Sequence, residues 1–401
     1  MNSSSIKNEA RKWKEKGIIS EEQRQQIVAL YQEKDHNFLL LSFAGLFVGL
    51  GFLTFIASNW SVIPDLGRMA IILLFMLVFY VTGDIIYRKK SHAVGITFIV
   101  MGLFVFGAGI FLTGQMYNYM SFQATPFFIW SIVGLLLFVI YQHVALYIVA
   151  ITITTVGQLY SAFVYQEFHL LLFLVLLLGF GHYTYHQARN LYGTLAAVSF
   201  IIQTMVLVFV GEQSYYWLIV YFLLLYVLGD VADRKRLTQP LTGISLLAIF
   251  LFTVIQVFIL SSSYIKEQLS FSWSFFGCWL VLFIISSSVK YWKNKKMQYV
   301  DLVLFLPIVY LPFADMVYML SLFLFSLGYL LIGYKEENQA MITVGTITFL
   351  ISTLIAYVHL AWDFLDKSLF FFVGGILLFL LSFLLERKRR LVKKEAKGGE
   401  K

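Results

Sequence analysis

Two kinds of side-chain grouping in this 401-residue chain could do chemistry. The first sets an aromatic ring beside amides: Asn59-Trp60, and the run Gly114-Gln115-Met116-Tyr117-Asn118. A ring face packs on C–H surface while amides donate to and accept from hydroxyls, so Asn59, Trp60, Gln115 and Asn118 suit a sugar or other polar headgroup. They equally suit an interfacial aromatic belt with helix-end hydrogen bonds. The second grouping sets acid and base four residues apart, Asp84 with Arg88 and Asp230 with Arg234. On a helix that spacing makes an ion pair worth a few tenths of a kcal/mol when exposed. Such a pair can tune an equilibrium between two conformations but cannot drive it.

Other chemistries lack their residues. There is no H-E-x-x-H, no G-x-x-x-x-G-K-[ST], no G-x-S-x-G and no Cys/His cluster. Cys278 is alone, and the seven histidines are scattered. The sequence therefore predicts no enzyme, no metal, no cofactor and no catalytic residue. Ion- and proton-coupled carriers keep an ionisable group at depth, because a relay needs one. Here Asp84, Asp230, Asp301 and Glu386 fall within a turn or two of helix ends, which predicts no proton coupling. Gln203 lies deepest among the uncharged polar residues, with Gln158 and Gln256 about a turn from outer ends. Hydrogen bonds between helices are expected of all three, with substrate contact as the alternative.

The elements that would position these groups are membrane spans. Hydrophobic residues make up 60% of the chain and charged ones 13%, with a mean hydropathy of +0.80, too little charge to cover a soluble core. Apolar stretches fall at approximately 37–58, 69–87, 92–114, 124–142, 143–162, 168–185, 190–210, 214–230, 241–261, 272–289, 297–314, 316–334, 339–360 and 368–386, each about long enough to cross a bilayer. Of the 30 basic residues, only Arg68, Lys266 and Lys367 fall in the gaps on one side. The other 27 fall on the opposite side, which the charge rule makes cytoplasmic. The expectation is an all-α, polytopic bundle of about 14 transmembrane helices in the cell membrane, with both termini cytoplasmic. The split at Tyr141–His143 is the one on which this depends: joining 124–142 to 143–162 would reverse every later loop. Small-residue faces at Gly45, Gly49 and Gly51, and at Gly102, Gly107 and Gly109, predict close helix packing, and Pro307 predicts a kink.

Residues 1–36 read as a cytoplasmic helical hairpin. Ile6, Ala10 and Trp13 share one face, Gly17 is the stop, and Ser20 with Gln23 forms a capping box for a second helix carrying Ile27, Leu30 and Tyr31. Two short helices are marginal alone, so the hairpin needs the membrane face of the protein or a protein partner. Residues 37–386 form the bundle, and 387–401 a polybasic tail from Arg387-Lys388-Arg389-Arg390. That tail suits anionic lipid or serves as a stop-transfer anchor. The net charge of +8 comes from this sidedness and implies no nucleic acid. No cleavable signal peptide is expected.

Two helix ends repeat one another. Tyr80-Val81-Thr82-Gly83-Asp84, continuing to Arg88-Lys89-Lys90, matches Tyr226-Val227-Leu228-Gly229-Asp230, continuing to Arg234-Lys235-Arg236. Each precedes a segment with Gly-Ile-Thr or Gly-Ile-Ser, at Gly95 and Gly243, and a fainter match recurs at Gly333 and Gly345. The copies lie an even number of spans apart, as in a parallel internal repeat. Convergence of two helix ends on the same interfacial residues gives the same pattern.

The hairpin Gly17-Ile18-Ile19-Ser20-Glu21-Glu22-Gln23, the Gly-rich first span, Asn59-Trp60 and Gly114-Gln115 resemble a prokaryotic membrane-protein family, domain of unknown function 2157, over roughly residues 10–120. The resemblance implies a bacterial or archaeal cell membrane and supplies no activity and no site residues. The sequence is thus compatible with a transporter or flippase-like protein for a hydrophobic or lipid-linked substrate without proton coupling. A non-catalytic membrane sensor or scaffold is the alternative, and an integral-membrane transferase the third. Reporter fusions at Lys90, Arg236 and Lys296 should all signal cytoplasm; an external signal at Arg236 would join the two segments at Tyr141–His143.

Overall fold

A computed structural model describes residues 9–14, 17–24, 43–51, 63–117, 123–232, 235–261, 271–293 and 296–361, with a few positions at 54, 58 and between 369 and 383. All regular elements among them are helical. Nine of the described helices are long and apolar enough to cross a membrane, and two shorter apolar ones accompany them. The polybasic tail, Ile27, Leu30 and Tyr31 lie outside the described residues, as does most of the last expected span. The chain forms two compact units, Met1–Ala150 and Ile151–Lys401.

In unit 1 the hairpin begins as its residues predict. Gly17 takes φ +70, a conformation that a Cβ disfavours. The Gln23 backbone N–H donates to Ser20 Oγ (3.2 Å) and the Ser20 N–H to Gln23 Oε1 (3.0 Å), closing the capping box. Glu21 pairs with Arg24 and Lys14, and their hydrogen bonds hold its carboxyl down at about 2. That contribution is complete above about pH 4.5 and is lost as the pH falls towards 2.

Helix α1 (Asp65–Lys89) and helix α2 (His92–Met116) follow, joined by a tight turn and packed on each other. Ile72, Phe79, Met101 and Val105 form their core. The expected glycine face of α2 is in use, with Tyr80 over Gly102 and Trp130 over Gly107. The other side of α1 exposes Leu73, Leu74, Leu77 and Val81, as a lipid-facing helix does. Helix α3 (Thr125–Tyr141) docks through Trp130, whose Nε1 donates to Leu103 O at 2.8 Å. It stops at Gln142, which is left-handed at φ 47, and His143 Nδ1 accepts from the Ala145 N–H (3.2 Å) to start the next helix. The chain is therefore divided at the Tyr141–His143 position.

Unit 2 continues helix α4 (Val144–Tyr165), then α5 (Leu170–Gln187), α6 (Asn190–Val210), α7 (Trp217–Val231), α8 (Lys235–Ile259), α9 (Trp273–Trp292), α10 (Ala314–Lys335) and α11 (Gln339–Ala361). Helix α7 packs on α8 and α9, α8 on α6 and α10, and α10 on α11. The core between them is aromatic, with Tyr216, Phe222, Tyr226, Phe275, Trp279, Phe305, Tyr318 and Phe325 buried.

Between α9 and α10 the expected span 297–314 is not an α-helix. Lys296–Phe305 is a 3₁₀-helix, Pro307 interrupts it, and Ile308–Tyr310 makes one further 3₁₀ turn. Proline supplies no N–H to continue a helix. A 3₁₀-helix rises about 2.0 Å per residue against 1.5 Å for α, so this segment covers depth with fewer residues. Leu302, Leu304, Phe305, Ile308 and Val309 are buried in the core. Irregular backbone at membrane depth is tolerated where protein encloses it or where it lines an aqueous cavity. Gly328 on α10 makes room for it: a Cβ there would meet Val300 Cγ1 at 2.5 Å.

The repeated motif gives locally similar hairpins. Gly83 sits against Gly95 and Ile99 of α2, and Gly229 against Leu241 and Thr242 of α8. The fainter match also falls in a tight hairpin, Gly333 against Ile342. Gly328→Val should cost about 1–3 kcal/mol by overpacking against stiff Val300. Gly277→Ala, where a Cβ enters open space, should be close to neutral in the same thermal melt of the purified protein.

Candidate functional site

Three helices and the broken segment bring ionisable groups together in unit 2. Tyr226 and Asp230 occupy the last turns of α7, Ser286 and Lys290 the last turns of α9, and each pair shares a helix face by its i,i+4 spacing. Asp301 comes from the 3₁₀-helix and Tyr329 from α10.

Lys290 Nζ lies 2.9 Å from Asp230 Oδ2, and both side chains are 0% exposed. The same ammonium donates to the Tyr226 hydroxyl at 2.6 Å and stands 4.6 Å from the centre of that ring. Tyr226 in turn donates to Asp301 Oδ2 (2.5 Å), and Tyr329 donates to Asp301 Oδ1 (2.8 Å). Ser286 Oγ lies 3.4 Å from Asp230 Oδ2, and Lys293 Nζ donates to the Asp230 backbone carbonyl (2.9 Å). Every charge in this chain of contacts is met by an opposite charge or a hydroxyl, as burial away from water demands. Tyr226 is the junction, accepting from the cation and donating to the second carboxylate.

Breaking one partner of a buried pair leaves the other charge uncompensated, at a cost of about 3–5 kcal/mol; the intact pair can be near neutral against an apolar substitute. The network thus couples α7, α9, the broken segment and α10: none can shift without a buried charge losing its partner. It is suited to holding an arrangement of helices. Among the described residues no group of three or more His, Cys, Asp or Glu side chains could hold a metal.

The expected site residues are placed unevenly. Asn59, Trp60 and Asn118 lie outside the described residues, and Gln115 is exposed in the last turn of α2. Asp84 does pair with Arg88 (2.9 Å), and it also accepts from the Tyr141 hydroxyl at 3.0 Å, tying α1 to α3. Helix α7 ends at Val231, and the Asp230 carboxylate turns inward to Lys290. Arg234 lies outside the described residues. Thus two copies of one motif hold an acid in different surroundings, half-exposed at Asp84 and fully buried at Asp230.

The glutamines also divide. The Gln158 amide fits the backbone N–H and C=O of His169, both at 3.1 Å, in the orientation that satisfies both groups. Gln203 Nε2 donates within its own helix to Ser199 Oγ (3.3 Å). Gln256 is fully buried, its side chain facing the Tyr318 hydroxyl of α10. Sequence reasoning missed Lys290 and Asp301 as partners because each, read alone, is an ordinary polar residue at a span end. The detectable signal was an acidic residue one turn after a tyrosine on an otherwise apolar helix.

Residues 11–147 match a family described as "Predicted membrane protein (DUF2157)". That stretch closely parallels unit 1, and the charge network lies beyond it. No curated protein and no solved structure matches the chain.

Lys290→Met and Asp230→Asn should each destabilise the protein by about 3–5 kcal/mol, whereas the double change Asp230→Leu with Lys290→Met should recover much of that loss. A double-mutant cycle read by reversible unfolding checks this; additive losses would mean that the two side chains act separately.

Proposed function

We propose that this membrane protein moves an amphipathic, hydrophobic or lipid-linked substrate across the bilayer, with unit 2 as the moving machinery. The observation that carries the reading is the broken segment 296–310, a 3₁₀-helix interrupted at Pro307 and enclosed by helices. Discontinuous segments at membrane depth recur in carriers, where unwound backbone supplies polar groups and a place to bend. A 3₁₀ stretch of this length is uncommon and typical of a hinge or of strain.

On this reading the Lys290–Asp230–Tyr226–Asp301 network is the latch at the end that the charge rule places in the cytoplasm. It holds the foot of the segment to α7, α9 and α10, and opening that end requires those contacts to re-form elsewhere. The Asp84–Arg88 pair, with Tyr141, is a weaker brace in unit 1. Asn59, Trp60, Gln115 and Asn118 would lie near the outer headgroup end. The latch also supports a second reading, a rigid scaffold, because a fully compensated network fixes one helix arrangement.

The test is movement of fluorescent short-chain lipids in liposomes containing the purified protein, read by loss of outer-leaflet signal on quenching. Movement above protein-free liposomes is expected, and Tyr226→Phe should change its rate severalfold by removing the junction hydroxyl while leaving insertion intact. Absence of movement for neutral, anionic and sugar-bearing lipids alike would favour the scaffold.

A further inference from the structure

The buried network of unit 2 does not balance its charges. Lys290 supplies one ammonium, while Asp230 and Asp301 supply two carboxylates, and all three side chains are buried. Asp230 lies directly against the ammonium, whereas Asp301 reaches it through the Tyr226 hydroxyl. The groups that face Asp301 are Tyr226 and Asp230 of α7, Lys290 of α9 and Tyr329 of α10. Helix α8 also packs on the broken segment and has no ionisable residue after Arg236. Lys293, just past α9, is exposed and donates to the Asp230 backbone carbonyl. With both acids ionised, one negative charge is left over away from water, which is costly. Unit 1 shows that tying helices together does not require this surplus. There Asp84, which also follows a motif glycine, reaches Tyr141 at the end of α3 through a neutral hydroxyl at 3.0 Å, and Arg88 meets its charge.

A bound proton or a bound cation removes such an imbalance. Lys290 Nζ already stands among the oxygens of Asp230 and Tyr226, where it repels a metal cation; a proton needs no coordination shell. We propose that the network is a proton-binding site, in which Asp301 takes up and releases one proton. The change in bonding is local. A proton on Asp301 Oδ1 makes an O–H that donates to the Tyr329 oxygen, Tyr226 goes on donating to Oδ2, and Tyr329 no longer donates to Asp301. The buried charges then balance, Lys290 against Asp230, and α10 loses a charge-assisted tie to the broken segment. Asp301 and Tyr329 are the least buried of these groups, where a proton would enter. The expectation of no proton coupling weighed each acid along its own span, whereas here two acids and a base from separate elements share one site. As the coupling ion of a carrier the proton rests on the transport reading; as a bound proton it does not.

The experiment reads the acid itself. Full-length protein in phosphatidylcholine nanodiscs is followed by infrared difference spectroscopy as the pH is lowered from about 8 to about 5, with hydrogen–deuterium exchange measured at both ends. The parent should gain the carboxylic-acid band of a buried acid. Amides around Tyr329 should exchange about tenfold faster at the low pH, after correction for the intrinsic rate. In Asp301→Asn, a neutral side chain of the same shape, the band should be missing and the fast exchange present at both pH values. Tyr329→Phe should keep the band and show fast exchange at both. A band retained in Asp301→Asn, no band in the parent, or exchange that ignores pH would overturn the site. So would an Asp301→Asn protein that fails to fold, since the protonated acid would be no better tolerated. Replacing sodium by choline should change nothing; a change would assign the charge balance to a metal cation. In the liposome assay an imposed proton gradient should alter lipid movement severalfold, and Asp301→Asn should abolish that response; movement indifferent to the gradient would overturn the coupling. Proton binding without lipid movement would overturn transport and leave the site standing; movement with no Asp301 band would do the reverse.

Discussion

A lysine with no access to water is the constraint around which unit 2 is organised. Lys290 is fully buried, and an ammonium there persists only where carboxylate and hydroxyl oxygens replace its hydration. Asp230 and the Tyr226 hydroxyl do this directly, and Asp301 then needs its own donors, supplied by Tyr226 and Tyr329. The requirement propagates: to serve one cation, three helices and the broken segment must end in register.

The broken segment follows from the same geometry. Asp301 must reach the network while Ile308, Val309 and Tyr310 pack among the aromatic residues towards the other end. The stretched 3₁₀ backbone spans that interval, Pro307 marks where it yields, and Gly328 gives Val300 room to pass. The Phe305 carbonyl beside the break accepts from Trp279 Nε1 at 2.7 Å, so the backbone freed by irregularity is still served by a side chain.

Unit 1 shows how little a motif says without its surroundings. Asp84 and Asp230 both follow a glycine that lets the next helix approach closely. At Asp84 the helix continues past Arg88, so the pair forms on one face as helical spacing dictates. At Asp230 the helix ends one residue later, and the carboxylate meets a lysine 60 positions away. The local backbone pattern is shared, but the electrostatics are not.

The sequence alone determined the helical, membrane-embedded class, because apolar runs of span length with so few charges have no other way to satisfy their backbone. It also marked local features whose physics is contained in a few neighbouring residues: the Ser20–Gln23 capping box, the Gly17 turn, the break at Gln142–His143 and the Asp84–Arg88 pair. It could not assemble Tyr226, Asp230, Lys290, Asp301 and Tyr329, which come from four elements and meet across long loops of chain. Hydropathy reads 297–314 as one more span because it weighs side chains and is blind to whether the backbone is α or 3₁₀. Nor could it name the partner of Gln158, the backbone of His169. Burial and partnership depend on which helices lie side by side, and only the tertiary structure decides that.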